Sequence, residues 1–149
     1  MEVYQQLNIN VIYDNEEWDL LLSKLNTTNT YMKWAWGSYK INNGWDVERL
    51  KITDAKSKQL LSCCQLQTKK KFWVNTFLIQ GGIHLNEGIS KKDIHDDIHE
   101  ALCSYVKAKG KSFWVFMVNY HCHNIDAVHT SLMRIGFIPI LTRKMYTYL

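Results

Sequence analysis

The chain has 149 residues, 46% of them hydrophobic and 21% charged, with a formal net charge of +4. That length carries one core and is short for two, and the apolar share excludes a disordered chain. The positive excess suits a phosphate-bearing ligand, RNA or an anionic surface, and is too small for the concentrated basic stripe of a sequence-specific DNA-binding protein.

Leu7 to Tyr13 alternates apolar and polar residues, which predicts a strand with Leu7, Ile9, Val11 and Tyr13 on one face. Asp14 is placed to cap a helix over Asn15–Leu25, with Glu16 and Glu17 in its first turn and Trp18, Leu21, Leu22 and Leu25 at helical spacing. Asn26–Thr30 is a polar break. Met32–Ile41 predicts a second short helix, stopped by Asn42, Asn43 and Gly44, which tolerate left-handed backbone. Trp45–Ile52 alternates again, Thr53–Ser57 reads as a turn, and Gln59–Leu66 returns as a strand. Lys69-Lys70-Lys71 reads as a solvated hairpin turn or a phosphate-contacting patch. Phe72–Ile79 completes an antiparallel meander, ended by Gly81 and Gly82.

Ser90 and Asp93 form a capping pattern at the start of the longest helix, whose stripe is Ile94, Ile98, Ala101, Leu102, Tyr105 and Val106. Gly110 closes it, and Ser112–Val118 is an apolar strand. Ile125–Ile135 is a further helix stopped by Gly136, and Phe137–Leu149 is a last strand or bent pair. A helix between two apolar strands implies a parallel crossover. The expected fold is a single mixed α/β domain over residues 1–149, with a meander joined to a parallel βαβ unit and helices on both faces.

No apolar run is long enough to cross a bilayer, and the N-terminus lacks the pattern of a secretory signal, so a cytoplasmic protein is expected. The four cysteines, Cys63, Cys64, Cys103 and Cys122, form no C-x-x-C pair and read as buried reduced thiols.

The densest aromatic stretch is Tyr31–Trp45. Trp34, Trp36 and Trp45 are candidates for a ligand rim, whereas Trp18, Trp73 and Trp114 fall inside element patterns and read as core. Gln80-Gly81-Gly82 ends the third meander strand, and His84 and Glu87 follow where a base or a binding group can face a cleft. His95 and His99, four apart on a helix, lack a third metal ligand by spacing and read as boundary histidines. Tyr120-His-Cys-His123 follows a buried strand at its C-terminal end. His121 or His123 there is a candidate base, the two histidines a candidate metal pair, and the alternative is a structural loop.

Trp36-Gly-Ser-Tyr-Lys40, then Gly44-Trp45 and Val47, Arg49 and Leu50, resembles the first GNAT-like domain of the Fem aminoacyltransferases. The element order is likewise similar to the GNAT acetyltransferase fold. The resemblance implies acyl or aminoacyl transfer to an amine of a cell-wall or surface-glycan precursor, with acyl-CoA or aminoacyl-tRNA as donor. It implies that Lys40 holds phosphate of the acceptor. With it go Trp36, Trp45, Gln80, Gly81, Gly82, Tyr120 and His123 as substrate-binding residues, and His84, Glu87 and His121 as catalytic candidates. The cleft is expected where the two central strands part. Fem enzymes carry two such domains and this chain one, so a homodimer or a non-catalytic binding module are alternatives. A CoA-dependent N-acetyltransferase is another, although the glycines are displaced from the usual CoA-binding run.

Overall fold

The computed structural model describes residues 7–72, 74–89, 94–110, 112–117 and 125–138. The elements in chain order are β1 (Leu7–Ile12), α1 (Asn15–Lys24), a single 3-10 turn (Thr30–Met32), α2 (Trp34–Asn42), β2 (Asp46–Asp54), β3 (Leu60–Lys71), β4 (Val74–Gln80), β5 (His84–Leu85), α3 (Ile94–Lys107), β6 (Ser112–Met117) and α4 (Ile125–Arg134). One sheet runs in the order β1-β2-β3-β4-β6, and β5 pairs with β3. The β1 to β4 pairings are antiparallel, and β4 pairs with β6 in parallel from Asn75↔Ser112 to Gln80↔Met117. The expected meander and parallel unit are both present. β4 and β6 stay paired along that whole length, so any parting of the central strands begins beyond Gln80.

Strand alternation sends neighbouring side chains to opposite faces. Leu50, Ile52, Cys64, Leu66, Phe77 and Ile79 face α3, where they meet Ile94, Ile98, Leu102 and Val106 in the main core. Leu7, Ile9 and Val11 extend it. Tyr13, expected on that face, is 85% exposed because β1 ends at Ile12 and the chain turns into the Asp14 cap, whose carboxylate accepts the Glu17 N–H at 2.8 Å. The opposite face carries a smaller core of Ile12, Trp18, Leu21, Leu22, Leu25, Met32 and Cys63 beneath α1.

Several expected boundaries shift. The helix over Met32–Ile41 is a 3-10 turn and α2 separated by Lys33, which holds extended backbone. β2 runs on to Asp54, whose carboxylate caps the following turn through the N–H groups of Lys56 and Ser57. Lys69, Lys70 and Lys71 belong to β3, paired with Thr76, Asn75 and Val74, and the hairpin turns at Phe72, where φ is +57°. Ser90 and Asp93, and the strand expected beyond Ile138, lie outside the described residues.

Candidate functional site

The face of the sheet opposite α3 is polar where α2 crosses it. By alternation it presents Arg49 on β2, Gln65, Gln67 and Lys69 on β3, and Gln80 on β4. Arg49, Gln65 and Gln67 are buried. The Arg49 guanidinium carbon lies over the Trp34 indole, 3.4 Å from the ring centre, and its Nη2 donates to the Trp34 carbonyl at 3.1 Å. Gln65 Nε2 donates to the carbonyls of Met32 (2.7 Å) and Lys33 (2.9 Å), and Trp18 Nε1 donates to the same Met32 carbonyl at 2.7 Å. These bonds fix the start of α2 on the sheet.

Gly37 lets the helix approach. A Cβ there would lie 2.5 Å from both Arg49 Nη2 and Gln65 Oε1. The sequence pattern marks Gly37 only as a weak helix former; its reason is a contact that appears after folding.

Polar atoms on this face are left over. Gln67 is fully buried with neither amide atom hydrogen-bonded, and Gln65 Oε1, Arg49 Nε and Trp36 Nε1 are likewise buried without partners. Each such group costs about 1–3 kcal/mol against a satisfied one.

At the far end of α2, Lys40 Nζ sits 5.3 Å from the Trp36 ring centre and 5.0 Å from that of Trp45. Lys69 Nζ lies 5.4 Å from the Trp45 centre. Trp36 continues the aromatic surface to Tyr31, edge-on at 5.0 Å, and to Tyr39 at 5.4 Å. Partial burial lowers the Lys40 pKa, and the Lys69 charge lowers it further. Among the described residues neither lysine has a carboxylate within ion-pair distance.

The other end of the face is the glycine turn. From Ile79 to His84 the chain takes five steps while β3 takes three, from Leu66 to Cys63. β5 therefore continues β4 along β3, past a bulge holding Gly81 and Gly82. Neither glycine has a register partner in the described ladders. Both hold left-handed backbone, with φ of +84° and +80°. A Cβ on Gly81 would meet Tyr31 Cβ at 2.8 Å and Asn29 Nδ2 at 2.9 Å, so the bulge packs against the α1–α2 connection.

His84 locks that contact. Asn29 Oδ1 accepts the Tyr31 N–H at 3.0 Å, which orients the amide. Asn29 Nδ2 then donates to the Gly81 carbonyl at 3.0 Å and to His84 Nε2 at 3.2 Å. Thr27 Oγ1 approaches the same nitrogen at 3.1 Å. His84 Nε2 is thus an acceptor and its proton sits on Nδ1, consistent with a pKa lowered by burial. His84 stands in β5 and is half-buried. Sequence reasoning missed Thr27 and Asn29; the Asn26–Thr30 break offered only turn chemistry.

Trp36, Lys40 and Trp45 are together, as are Gly81, Gly82 and His84, with Gln80 half-buried between these groups on the same face. Glu87 is exposed in the turn after β5. Tyr120, His121, Cys122 and His123 lie outside the described residues, as does Trp73. Trp18 is core, as expected. His99 is buried between α3 and α4, its Nδ1 2.6 Å from Ser131 Oγ, and burial lowers its pKa to about 4. Cys63 and Cys64 are buried thiols with raised pKa, Cys64 to about 12, and Cys103 is half-buried.

No protein-family model and no curated protein matches the chain. Solved structures do. FemX superposes over 87% of this chain and 31% of its own, with a TM-score of 0.65 at 16% identity. An aminoglycoside acetyltransferase from an uncultured soil metagenomic sample, solved with sisomicin, covers 98% of this chain and 97% of its own, with a TM-score of 0.62 at 8% identity. A Trypanosoma brucei acetyltransferase covers 97% and 100%, with a TM-score of 0.59 at 12% identity. The chain therefore has the GNAT fold, shared with these acetyltransferases and with the matched portion of FemX.

Proposed function

We propose that this chain is an acyltransferase that moves an acyl or aminoacyl group onto an amine of a phosphate-bearing cell-wall or surface-glycan precursor. The carrying observation is the Lys40 ammonium, held against Trp36 and Trp45 without an ion-pair partner among the described residues, at one end of a polar sheet face whose other end is the Gly81–Gly82 bulge. Lys40 steadies the acceptor's phosphate. The N–H groups of the bulge face the developing oxyanion. The neutral amine attacks the donor carbonyl, the C–S or C–O bond of the donor breaks, and the leaving thiolate or alkoxide ends with the proton the amine gives up. His84 holds the bulge in place through Asn29; serving as the base would first require release of both its hydrogen bonds. Glu87 and His121 are the remaining candidate bases.

A second reading, a CoA-dependent N-acetyltransferase, is favoured by coverage: this chain spans nearly all of several solved acetyltransferases and 31% of FemX. Acyl-CoAs, charged tRNA and nucleotide-linked precursors in a thermal-shift and transfer assay separate the two. Lys40→Ala is expected to abolish the precursor's shift and leave the melting point nearly unchanged. A shift that survives the substitution removes Lys40 from the site.

A further inference from the structure

The lysine run 69–71 lies in a strand, and the strand takes it apart. Lys69 shares a face with Gln65 and Gln67, while Lys70 points to the opposite one. Lys69 Nζ therefore arrives at the same indole as Lys40, at 5.4 Å and 5.0 Å from the Trp45 ring centre. Two ammonium groups on one ring repel each other in the free protein, and no acidic side chain among the described residues forms an ion pair with either. The Trp45 ring offsets part of that repulsion through its negative face. An anion between the two cations offsets the rest, and lysine serves as a compact point charge for phosphate.

We propose that Lys69 is a second phosphate-binding residue and that, together with Lys40 beside the same Trp45 ring, it forms a site for a phosphoryl group carrying two or more negative charges. The site takes a phosphate monoester dianion or a diphosphate, in preference to a singly charged anion. It deepens the reading of Lys40 as the acceptor's anchor and rests on it. Burial lowers the Lys40 pKa most and the Lys69 charge adds to it; an anion beside Lys69 opposes the second of these causes.

Calorimetric titration of the full chain with inorganic pyrophosphate, inorganic phosphate and chloride tests this. Pyrophosphate is expected to bind, phosphate more weakly, and chloride not at all. Lys69→Gln is expected to weaken pyrophosphate at least fivefold, and Lys40→Gln at least tenfold. Lys70→Gln removes the same charge from the other face and is expected to change binding by less than twofold. Equal losses in Lys69→Gln and Lys70→Gln would reduce the effect to net charge and overturn the proposal. A loss in Lys40→Gln with none in Lys69→Gln would overturn it while leaving the Lys40 reading intact. Pyrophosphate binding that fails in both Lys40→Gln and Lys69→Gln, in a protein that transfers no acyl group, would keep the anion site and discard the acyltransferase reading. Melting curves for each variant confirm folding, since these side chains are at the surface or half-buried.

Discussion

The two faces of the central sheet are made by alternate residues of the same strands, and they differ in kind. Toward α3 the strands present Leu50, Ile52, Cys64, Leu66, Phe77 and Ile79, all fully buried. Toward α2 they present Arg49, Gln65, Gln67 and Lys69, with five side-chain atoms of Arg49, Gln65, Gln67 and Trp36 buried and unbonded. The α3 side has exceptions in Ser62 Oγ and Glu48 Oε2, but its character is apolar. A face optimised for stability alone would be filled like the first. The α3 side is an apolar core along its length, whereas the α2 side joins a smaller apolar core beneath α1 to a polar stretch beneath α2.

The comparison breaks most readily at its apolar end. Leu66→Ala is expected to cost about 3 kcal/mol or more in a urea melt, by lost burial and a residual cavity. A cost below about 1 kcal/mol would mean that the α3 side is not the stabilising layer. The same layer carries a pH dependence through His99 on α3. Its folded pKa, about 4, lies below the ordinary value of 6.5. The unfolded chain then binds more protons between those values, so the stabilisation is complete above about pH 6.5 and lost as pH falls toward 4. The full effect is roughly 3–4 kcal/mol at about 1.4 kcal/mol per unit. His84 shifts in the same direction. Melts at pH 7.5 and 4.5 check this, and His99→Gln should flatten the difference.

The polar side gives smaller and more selective effects. Gly81→Ala is expected to cost about 2–3 kcal/mol, from left-handed backbone plus a Cβ at 2.8 Å from Tyr31. Gly82→Ala, with the same backbone and nothing within 4 Å, should cost about 1 kcal/mol. Equal costs would show that the bulge does not press on the α1–α2 connection. Gln67→Met is expected to raise stability by about 1 kcal/mol, or about 2–4 °C in melting temperature. A fall of several degrees would mean that the carboxamide has a partner and that the contrast between the faces is overstated.

The apolar side was legible from sequence because periodicity reports burial directly. The stripe Ile94, Ile98, Leu102 and Val106 and the alternation of Leu7, Ile9 and Val11 both reach the core. The polar side was legible only in part. Trp36, Lys40 and Trp45 stood out by composition, and the structure brings them together. Lys69 was read only as part of its run, a turn or a phosphate-contacting patch, because three lysines in a row have no alternation to show that the strand separates them. β5 was hidden because two glycines read as an end to pairing, whereas here they form a bulge after which pairing resumes. Asn29 and Thr27 meet His84 across more than fifty residues of chain, a relation no local pattern encodes.

The carbonyl of Met32 accepts from both Trp18 and Gln65, each at 2.7 Å, and so has both lone pairs occupied. That atom is a nail through the chain just before α2. Lys40 lies six residues beyond Trp34, the first residue of α2, about 9 Å along the helix at about 1.5 Å per residue. The helix is held at its start by these bonds and again at Gly37, pressed on Arg49 and Gln65, so the position of the Lys40 ammonium is set by contacts made on the sheet up to eight residues before it.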